Sequence, residues 1–148
     1  MHTPTVVRPR LGRTTLGDRL ADWLEDGVAG RTGADGPAAI VLVPEYVRAC
    51  PRSVLADLDS TDWTGTVVAL VGYGGRTRGR FAIEDAREVL AAAGARVLET
   101  SLGLDTARIR AGGFETEDVL LRDLLLDDLG GLRPRSARTP AAPTPRGS

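Results

Sequence analysis

Two continuous runs of apolar residues constrain the fold of this chain more than any other feature. Residues 39–43 have the sequence Ala-Ile-Val-Leu-Val, and residues 66–71 have the sequence Thr-Val-Val-Ala-Leu-Val. A strand with one face in water alternates polar and apolar residues, whereas a strand buried on both faces does not. Both runs therefore predict inner strands of a parallel sheet that is covered by helices on each side.

Other segments predict the remaining strands and helices. Residues 5–8 and 96–99 are short and rich in β-branched or apolar residues, so they predict two further strands. Apolar side chains recur at helical spacing from residue 16 to the glycines at 27 and 30, and over 53–58, 81–93 and 115–129. Strands that alternate with helices form right-handed βαβ units. We therefore expect an α/β fold with four parallel strands side by side in chain order.

Composition predicts one domain followed by a tail. With 148 residues, the chain is long enough to bury one sizeable core. After the glycines at 130 and 131, prolines at 134, 140, 143 and 145 are spread among alanine, threonine, serine and arginine. Such a composition cannot bury a core. We predict a domain over residues 1–132 and a disordered Pro/Arg-rich tail over 133–148.

The residue types exclude several kinds of chemistry. The chain has no lysine, which excludes a phosphate-loop lysine and Schiff-base catalysis. It has one histidine, His2, and one cysteine, Cys50, so we expect no metal site and identify no catalytic residue. The net charge of −1 gives no reason to expect nucleic acid or a membrane as partner. A single cysteine and the lack of a membrane span predict a soluble, cytoplasmic protein.

Three loops are expected at the edge of the sheet where open α/β proteins bind ligands, beyond the carboxyl ends of the strands. The first loop, residues 9–15, contains Arg10, Arg13, Thr14 and Thr15 just before a helix. Free backbone N–H groups at a helix N-terminus, together with hydroxyls and guanidinium groups, suit an anion. Many helices begin with threonine beside arginine without binding a ligand, and that alternative stays open.

The second loop follows the strand at 39–43. Pro44 has no N–H to donate to a sheet, so it ends the strand and places Glu45 and Tyr46 at the carboxyl edge. The alternative is an ordinary loop after a core strand.

The third loop follows residues 66–71 and begins Gly72, Tyr73, Gly74, Gly75. Glycine lets the backbone approach a flat ligand closely. Thr77 stands where the dinucleotide-binding motif G-x-G-x-x-G needs its third glycine, so that motif is incomplete. A flexible turn is the alternative.

Taken together, these motifs resemble the NADPH-dependent FMN reductase family, which has a flavodoxin-like fold, over about residues 5–105. Pro-Glu-Tyr at 44–46, Pro51 and Asp59 are similar to the family's P-E-Y-N followed by P-G-x-L-K-x-x-x-D. The glycine-rich loop with its helix (74–90) and the segment 13–24, which ends in Ala-Asp-Trp-Leu, are similar too. The resemblance implies a three-layer flavodoxin-like sandwich.

The resemblance also implies a cofactor and its contacts. The FMN phosphate would be held by Thr14 and Thr15 with Arg10 or Arg13. The isoalloxazine ring would lie beside Pro44, Glu45 and Tyr46 and the loop of Gly72, Tyr73, Gly74 and Gly75. FMN would relay a hydride from NAD(P)H to a small-molecule substrate. The function implied is a small FMN-dependent NAD(P)H oxidoreductase that reduces flavin, a quinone or a pathway intermediate.

The chain departs from the family pattern at four places, one of which is Val-Leu at 54–55 where the family has Leu-Lys. Val47 replaces the asparagine, Pro9-Arg10 replaces the Gly-Ser of the phosphate loop, and residues 24–39 are too few to include the family's second strand. We therefore expect weak FMN binding and a four-stranded sheet. Its newly free edge favours a homodimer with residues 50–58 in or near the interface. The alternative function is an accessory subunit, or a cofactor-free catalyst or binder of a small molecule in the same cleft.

Overall fold

The computed structural model describes residues 3–9, 15–29, 31–32, 36–129 and 133–134. The elements, in chain order, are β1 (Thr5–Val7), α1 (Thr15–Ala29), β2 (Arg31–Thr32), β3 (Ala38–Pro44), α2 (Arg52–Asp59), β4 (Val67–Gly74), α3 (Arg80–Ala92), β5 (Arg96–Asp105), α4 (Thr106–Gly112), α5 (Thr116–Asp128) and β6 (Arg133–Pro134). The strands and helices predicted from the sequence are all present, with ends that differ by at most six residues.

The main sheet has the predicted topology. In the described part of the chain it contains four strands, all parallel, in the order β1-β3-β4-β5. Every residue of β3 is buried, as its unbroken apolar run predicts. The prediction of an α/β fold with a four-stranded parallel sheet is confirmed, and the architecture is consistent with a three-layer flavodoxin-like sandwich.

The sheet separates two apolar cores because successive side chains of a strand point to opposite faces. Ile40 and Leu42 belong to the core that also contains residues of α1 and α5. Val41 and Val43 belong to the core that contains residues of α2 and α3. All four side chains are at most 1% exposed, so truncating Ile40 or Leu42 to alanine should cost about 2–5 kcal/mol of stability.

β5 extends six residues beyond the predicted strand, which stopped at residue 99. The register shifts along it: Val97 lies opposite Val68, but Ser101 lies opposite Leu70, so β5 bulges between these pairs. Arg87 of α3 donates to two carbonyl oxygens of the bulge, those of Leu98 at 2.6 Å and Glu99 at 3.2 Å. A bulge breaks the regular pattern of side chains, which explains why the sequence indicated only the first half of the strand.

β2, which lies between α1 and β3 in the chain, belongs to a separate two-stranded sheet and not to the main sheet. β2 pairs antiparallel with β6, which lies in the segment that the sequence analysis assigned to the disordered tail. Residues 135–148, the rest of the predicted tail, lie outside the described residues. Arg31 is buried, and its guanidinium pairs with Asp127 and donates to the carbonyl oxygen of Asp123 at 3.1 Å, both on α5.

Candidate functional site

The carboxyl ends of β1, β3, β4 and β5 lie along one edge of the sheet because the strands are parallel. The loops 45–51 and 75–79 follow β3 and β4 at this edge. Of the first predicted loop, Arg10, Arg13 and Thr14 lie outside the described residues. Thr15 is the exposed first residue of α1.

Glu45 links the two described loops. Its Oε1 accepts a hydrogen bond from the Thr77 hydroxyl, and its Oε2 accepts one from the backbone N–H of Phe81 at 2.8 Å. Its own N–H donates to the carbonyl oxygen of Tyr73 at 2.9 Å. Phe81 lies in the first turn of α3, where N–H groups have no partner within the helix. The carboxylate of Glu45 therefore caps α3 from the loop that follows β3, at the end of the helix dipole that favours negative charge.

A tight, strained turn follows Glu45. Tyr46 and Ala49 exchange backbone hydrogen bonds of 2.9 and 3.1 Å, and between them Val47 and Arg48 have φ values of 50° and 58°. A β-branched residue rarely adopts this left-handed conformation, whose cost is about 1–3 kcal/mol. The side chains of Tyr46 and Val47 are 56% and 99% exposed. The turn therefore holds an aromatic ring in contact with solvent at the edge of the sheet.

The glycines at the end of β4 and in the loop that follows it divide into two groups. A Cβ on Gly72 would lie 2.7 Å from Cγ1 of Ile83, and one on Gly79 would lie 2.4 Å from the backbone nitrogen of Tyr73. These two glycines let α3 pack closely on β4. A Cβ on Gly74 would lie 3.1 Å from Oε1 of Glu45, but one on Gly75 would have no described heavy atom within 4 Å. Of these four glycines, Gly75 is therefore the one that faces open space.

Two polar side chains close to this edge are buried. Burial raises the pKa of Tyr73 to about 12, with smaller effects from Tyr46 and Cys50. Burial also raises the pKa of the Cys50 thiol to about 12, and the nearby Asp85 raises it further. The N–H of Cys50 donates to the Asp85 carboxylate at 3.0 Å. Tyr73 therefore stays neutral and packs in the core, and the Cys50 thiol is a poor nucleophile because little thiolate forms.

Arginines surround the same edge. Arg48 lies in the turn after β3, and Arg76, Arg78 and Arg80 follow β4; all four are exposed. The guanidinium of Arg80 lies over the ring of Phe81, 4.8 Å from its centroid. Exposed guanidinium groups attract anions and bind phosphate oxygens well. The sequence analysis did not include these residues among the site residues, although their clustering after two predicted strands was visible in the sequence.

Two findings bear on other kinds of function. Within the described ranges, no three His, Cys, Asp or Glu residues are grouped so that they could hold a metal ion. Among the described helices, none is both long enough and apolar enough to cross a membrane.

The fold is that of an open, parallel α/β protein, and the loops at this edge carry an exposed aromatic ring and exposed arginines. No protein-family model matches the chain, and a search of curated proteins finds no significant match.

Proposed function

We propose that this chain binds FMN at the carboxyl edge of its sheet and acts as a small NAD(P)H-dependent oxidoreductase. The observation that carries the proposal is the link through Glu45. By bonding to Thr77 and to the N–H of Phe81, Glu45 keeps the loop of Tyr46 beside the glycine-rich loop. An exposed aromatic ring and an open glycine backbone at Gly75 then occur at the edge where this class of sheet binds its ligands.

The residues present fit the two ends of FMN. Tyr46 and Gly75 are exposed and suited to a flat ring, whereas Pro44 is buried at the end of β3. Thr15 at the start of α1, with Arg10, Arg13 and Thr14, is suited to the phosphate. The exposed arginines after β3 and β4 add positive charge on the same side. When bound, FMN would supply the hydride transfer between NAD(P)H and a small-molecule substrate. Glu45 acts as a positioning residue, since both of its carboxylate oxygens hold neighbouring loop atoms.

A binder or catalyst without flavin is the second candidate, and Val47 favours it. The motif that this chain resembles has asparagine at this position, and asparagine tolerates the left-handed conformation found there (φ 50°) far better than valine does. Val47 therefore introduces strain and removes a polar group at a point where a flavin ring would be contacted. A protein that no longer binds flavin could tolerate both changes.

We also propose a homodimer with residues 50–58 in or near the interface. β1 supports it, because among the described strands only β3 pairs with β1, which leaves the other side of β1 free. Sedimentation should give the mass of a dimer; a monomer at high micromolar concentration would contradict this proposal.

Titration of the full-length protein with FMN separates the two functions. We expect saturable FMN binding below about 100 µM, since micromolar affinity corresponds to about −8 kcal/mol, and weaker binding of FAD. Replacing Arg13 and Thr14 together by alanine should weaken FMN binding by about 2–4 kcal/mol, because charge-assisted hydrogen bonds are lost. Tyr46→Ala should change the flavin absorbance spectrum more than the affinity.

Arg96→Ala is the control for the double replacement of Arg13 and Thr14, because it also removes one positive charge. Arg96 begins β5 and is exposed at the opposite edge of the sheet, so its replacement should leave FMN affinity unchanged. The absence of saturable binding at about 100 µM FMN, well above micromolar affinity, would favour the protein without flavin.

A further inference from the structure

β5 forms the edge of the main sheet that lies opposite β1. In the described part of the chain, the one strand that pairs with β5 is β4. The outer side of an edge strand presents backbone N–H and C=O groups that no neighbouring strand bonds. β5 is therefore a place where this sheet can accept another strand, on the side away from the β1 edge that supports the proposed homodimer.

The two halves of this edge differ in regularity. The bulge distorts the first half, where the guanidinium of Arg87 donates to the carbonyl oxygens of Leu98 and Glu99. In the second half, residues 101–105 lie opposite residues 70–74 in unbroken register. A bulge hinders the addition of a strand, whereas a regular edge permits it. The open part of the edge is therefore 101–105, which spans about 16 Å at about 3.3 Å per residue.

An open groove of about 490 Å³ lies along this half of β5, between α3 and α5. β5 contributes Ser101, Leu102 and Gly103 to the lining, and α5 contributes Leu121, whose side chain is 40% exposed. An extended peptide that adds to a sheet bonds to the exposed strand through its main chain and places alternate side chains in pockets beside it. A groove with an edge strand in its floor and a helix on each side has the shape for this mode of binding.

The two walls of the groove differ in chemistry, because successive residues of β5 face opposite sides of the sheet. Leu102 belongs to the core shared with α1 and α5, and Leu121 lies on that side, so this wall is apolar. A Cβ on Gly103 would lie 2.6 Å from the carbonyl oxygen of Arg78, so Gly103 faces the other side, next to α3. The charged residues of the lining are Arg78, Arg80, Glu84 and Arg87.

The charge of this second wall favours an acidic partner. Three arginines against one glutamate leave the described lining with a net charge of +2. The described contacts of Arg80 and Arg87 are with uncharged groups, the ring of Phe81 and the two carbonyl oxygens of the bulge. Their positive charge therefore remains available to carboxylates of a bound segment.

Charge and composition also select among the occupants of the groove. The chain's own residues 135–148 contain three arginines, three prolines and no acidic residue. Such a segment is repelled by the arginines of the groove, and its prolines cannot donate to a strand. A second copy that paired antiparallel through β5 would bring both α3 helices to the same side of the sheet, with like charges facing each other. An acidic segment of another protein meets neither objection.

We propose that the 101–105 edge of β5 is a docking site for an extended segment of another protein in which acidic and apolar residues alternate. The segment adds to the main sheet as a fifth strand and bonds to β5 through its backbone. Its acidic side chains lie beside Arg80 and Arg87, and its apolar side chains lie against Leu102 and Leu121. The proposal is independent of FMN binding.

The test titrates the full-length protein with three six-residue peptides, blocked at both ends, by isothermal calorimetry. The first alternates glutamate and valine, the second alternates lysine and valine, and the third is the first with proline as its fourth residue. We expect saturable binding of the glutamate peptide with a Kd of about 100 µM or tighter. The lysine peptide should bind at least about tenfold more weakly because its charge is reversed. The proline peptide should also lose at least about tenfold, because it lacks an N–H for the ladder.

Hydrogen exchange locates the bound peptide. The outward-facing backbone N–H groups of residues 101–105 gain acceptors when a strand is added, so their exchange should slow at least about tenfold at saturation. Exchange in β3, which already has a strand on each side, should not change.

Variants distinguish the groove from non-specific binding. Leu121→Gln should weaken binding of the glutamate peptide at least about fivefold, because an apolar contact is lost. Leu120→Gln is the matched control, since Leu120 is 57% exposed but does not line the groove. Arg87→Gln should weaken binding at least about fivefold, whereas Arg110→Gln, at an exposed position of α4 outside the groove, should not. FMN titration of Leu121→Gln should match the wild type, so failure of this proposal is distinguishable from failure of the flavin proposal.

Any of four results would overturn the proposal: no saturable binding of the glutamate peptide up to about 1 mM, well above the expected Kd; binding of the lysine peptide as tight as that of the glutamate peptide; unchanged affinity in Leu121→Gln; or unchanged exchange in 101–105. If Leu121→Gln does not fold by circular dichroism, unchanged affinity in Arg87→Gln is the deciding result. Slow exchange of the outward-facing N–H groups in the free protein would mean that a second copy or the chain's own tail covers the edge, and this would equally overturn the proposal.

Discussion

At the N-terminus of both α3 and α5, a carboxylate accepts a hydrogen bond from a backbone N–H. The two carboxylates differ in how far along the chain they lie from that N–H. At α5, Asp118 of the first turn accepts a hydrogen bond from the N–H of Glu115 at 2.9 Å, three residues away. At α3, the N-cap residue is Gly79, and the carboxylate comes from Glu45, 36 residues before the N–H of Phe81 that it accepts. The local contact defines where a helix begins, whereas the distant one also fixes the helix against the sheet.

The two carboxylates also differ in their partners. Asp118 is 4% exposed, and Arg108 of α4 donates to both of its oxygens at 2.8 and 2.9 Å. This guanidinium, and to a smaller extent the N–H of Glu115, lowers the pKa of Asp118, while burial opposes the shift. Glu45 is half-buried and accepts its hydrogen bonds from two uncharged donors, the Thr77 hydroxyl and the Phe81 N–H. Removal of a partner should therefore cost more at α5, where a buried charge would remain.

The largest effect is expected for Arg108→Ala. It leaves the buried Asp118 carboxylate without its bidentate partner, which typically costs about 3–5 kcal/mol. Urea unfolding at neutral pH measures the loss. Arg110→Ala on the same helix is the control, because Arg110 is exposed and its loss should change stability by about 0.5 kcal/mol or less. A loss below about 1 kcal/mol for Arg108→Ala would mean that the pair is no stronger than a surface ion pair.

The pair of Arg108 and Asp118 should also affect how the free energy of unfolding depends on pH in acid. The pKa of Asp118 is lower in the folded state, so its contribution is complete above the unfolded pKa of about 4. That contribution is lost as the pH falls through the folded pKa. In Asp118→Asn this part of the pH dependence should be missing, and the unfolding free energy should fall less steeply below about pH 4 than in wild type. If the free energy of unfolding depended on pH in the same way in Asp118→Asn and in wild type, the lowered pKa of Asp118 would be contradicted.

Glu45→Ala should have the next largest effect. It removes the acceptor of the Phe81 N–H and of the Thr77 hydroxyl, and the loss of a helix cap with one further hydrogen bond costs about 2 kcal/mol. Glu45→Gln keeps an acceptor for the N–H and should lose less than half as much. Hydrogen exchange at the Phe81 amide should accelerate in Glu45→Ala. Unchanged exchange would show that the cap does not hold α3.

Val47→Asn should stabilise the protein by about 1 kcal/mol. The asparagine side chain tolerates the left-handed conformation of the turn that follows Glu45, and Val47 loses no packing because it is 99% exposed. Thermal or urea unfolding gives the size of the gain. Arg48→Asn, at the neighbouring position with φ 58°, should gain less because arginine is not β-branched. A destabilised Val47→Asn would indicate that the valine makes a contact in the folded protein.

Arg8→Ala should have the smallest effect, although Arg8 contacts three carboxylates of α1. Its side chain is 39% exposed, and the distances to Asp18, Asp22 and Glu25 are 3.1, 3.0 and 2.7 Å. Exposed ion pairs contribute about 1 kcal/mol or less, and salt screens them. The loss measured at low salt should therefore shrink in about 0.5 M NaCl, where screening is strong. If Arg8→Ala lost as much stability as Arg108→Ala, burial would not explain why one ion pair is expected to be stronger than the other.

The candidate site was predictable in part. The sequence located Glu45, Tyr46 and the glycine-rich loop at one edge, because strand ends follow from hydrophobic runs and a proline. It did not indicate that Glu45 would cap α3, or that Gly72 would contact Ile83 instead of open space. Both depend on how far α3 lies above the sheet, which no local pattern encodes.

The sequence by itself determined the inner strands, the order of the sheet and the helix with its local contact at Glu115 and Asp118. Periodicity and caps act between residues a few positions apart, so the pattern contains them directly. Only the tertiary structure decided the bulge in β5 and the remote cap by Glu45. These arise where elements distant in sequence meet, and their geometry depends on packing that is set by the whole domain.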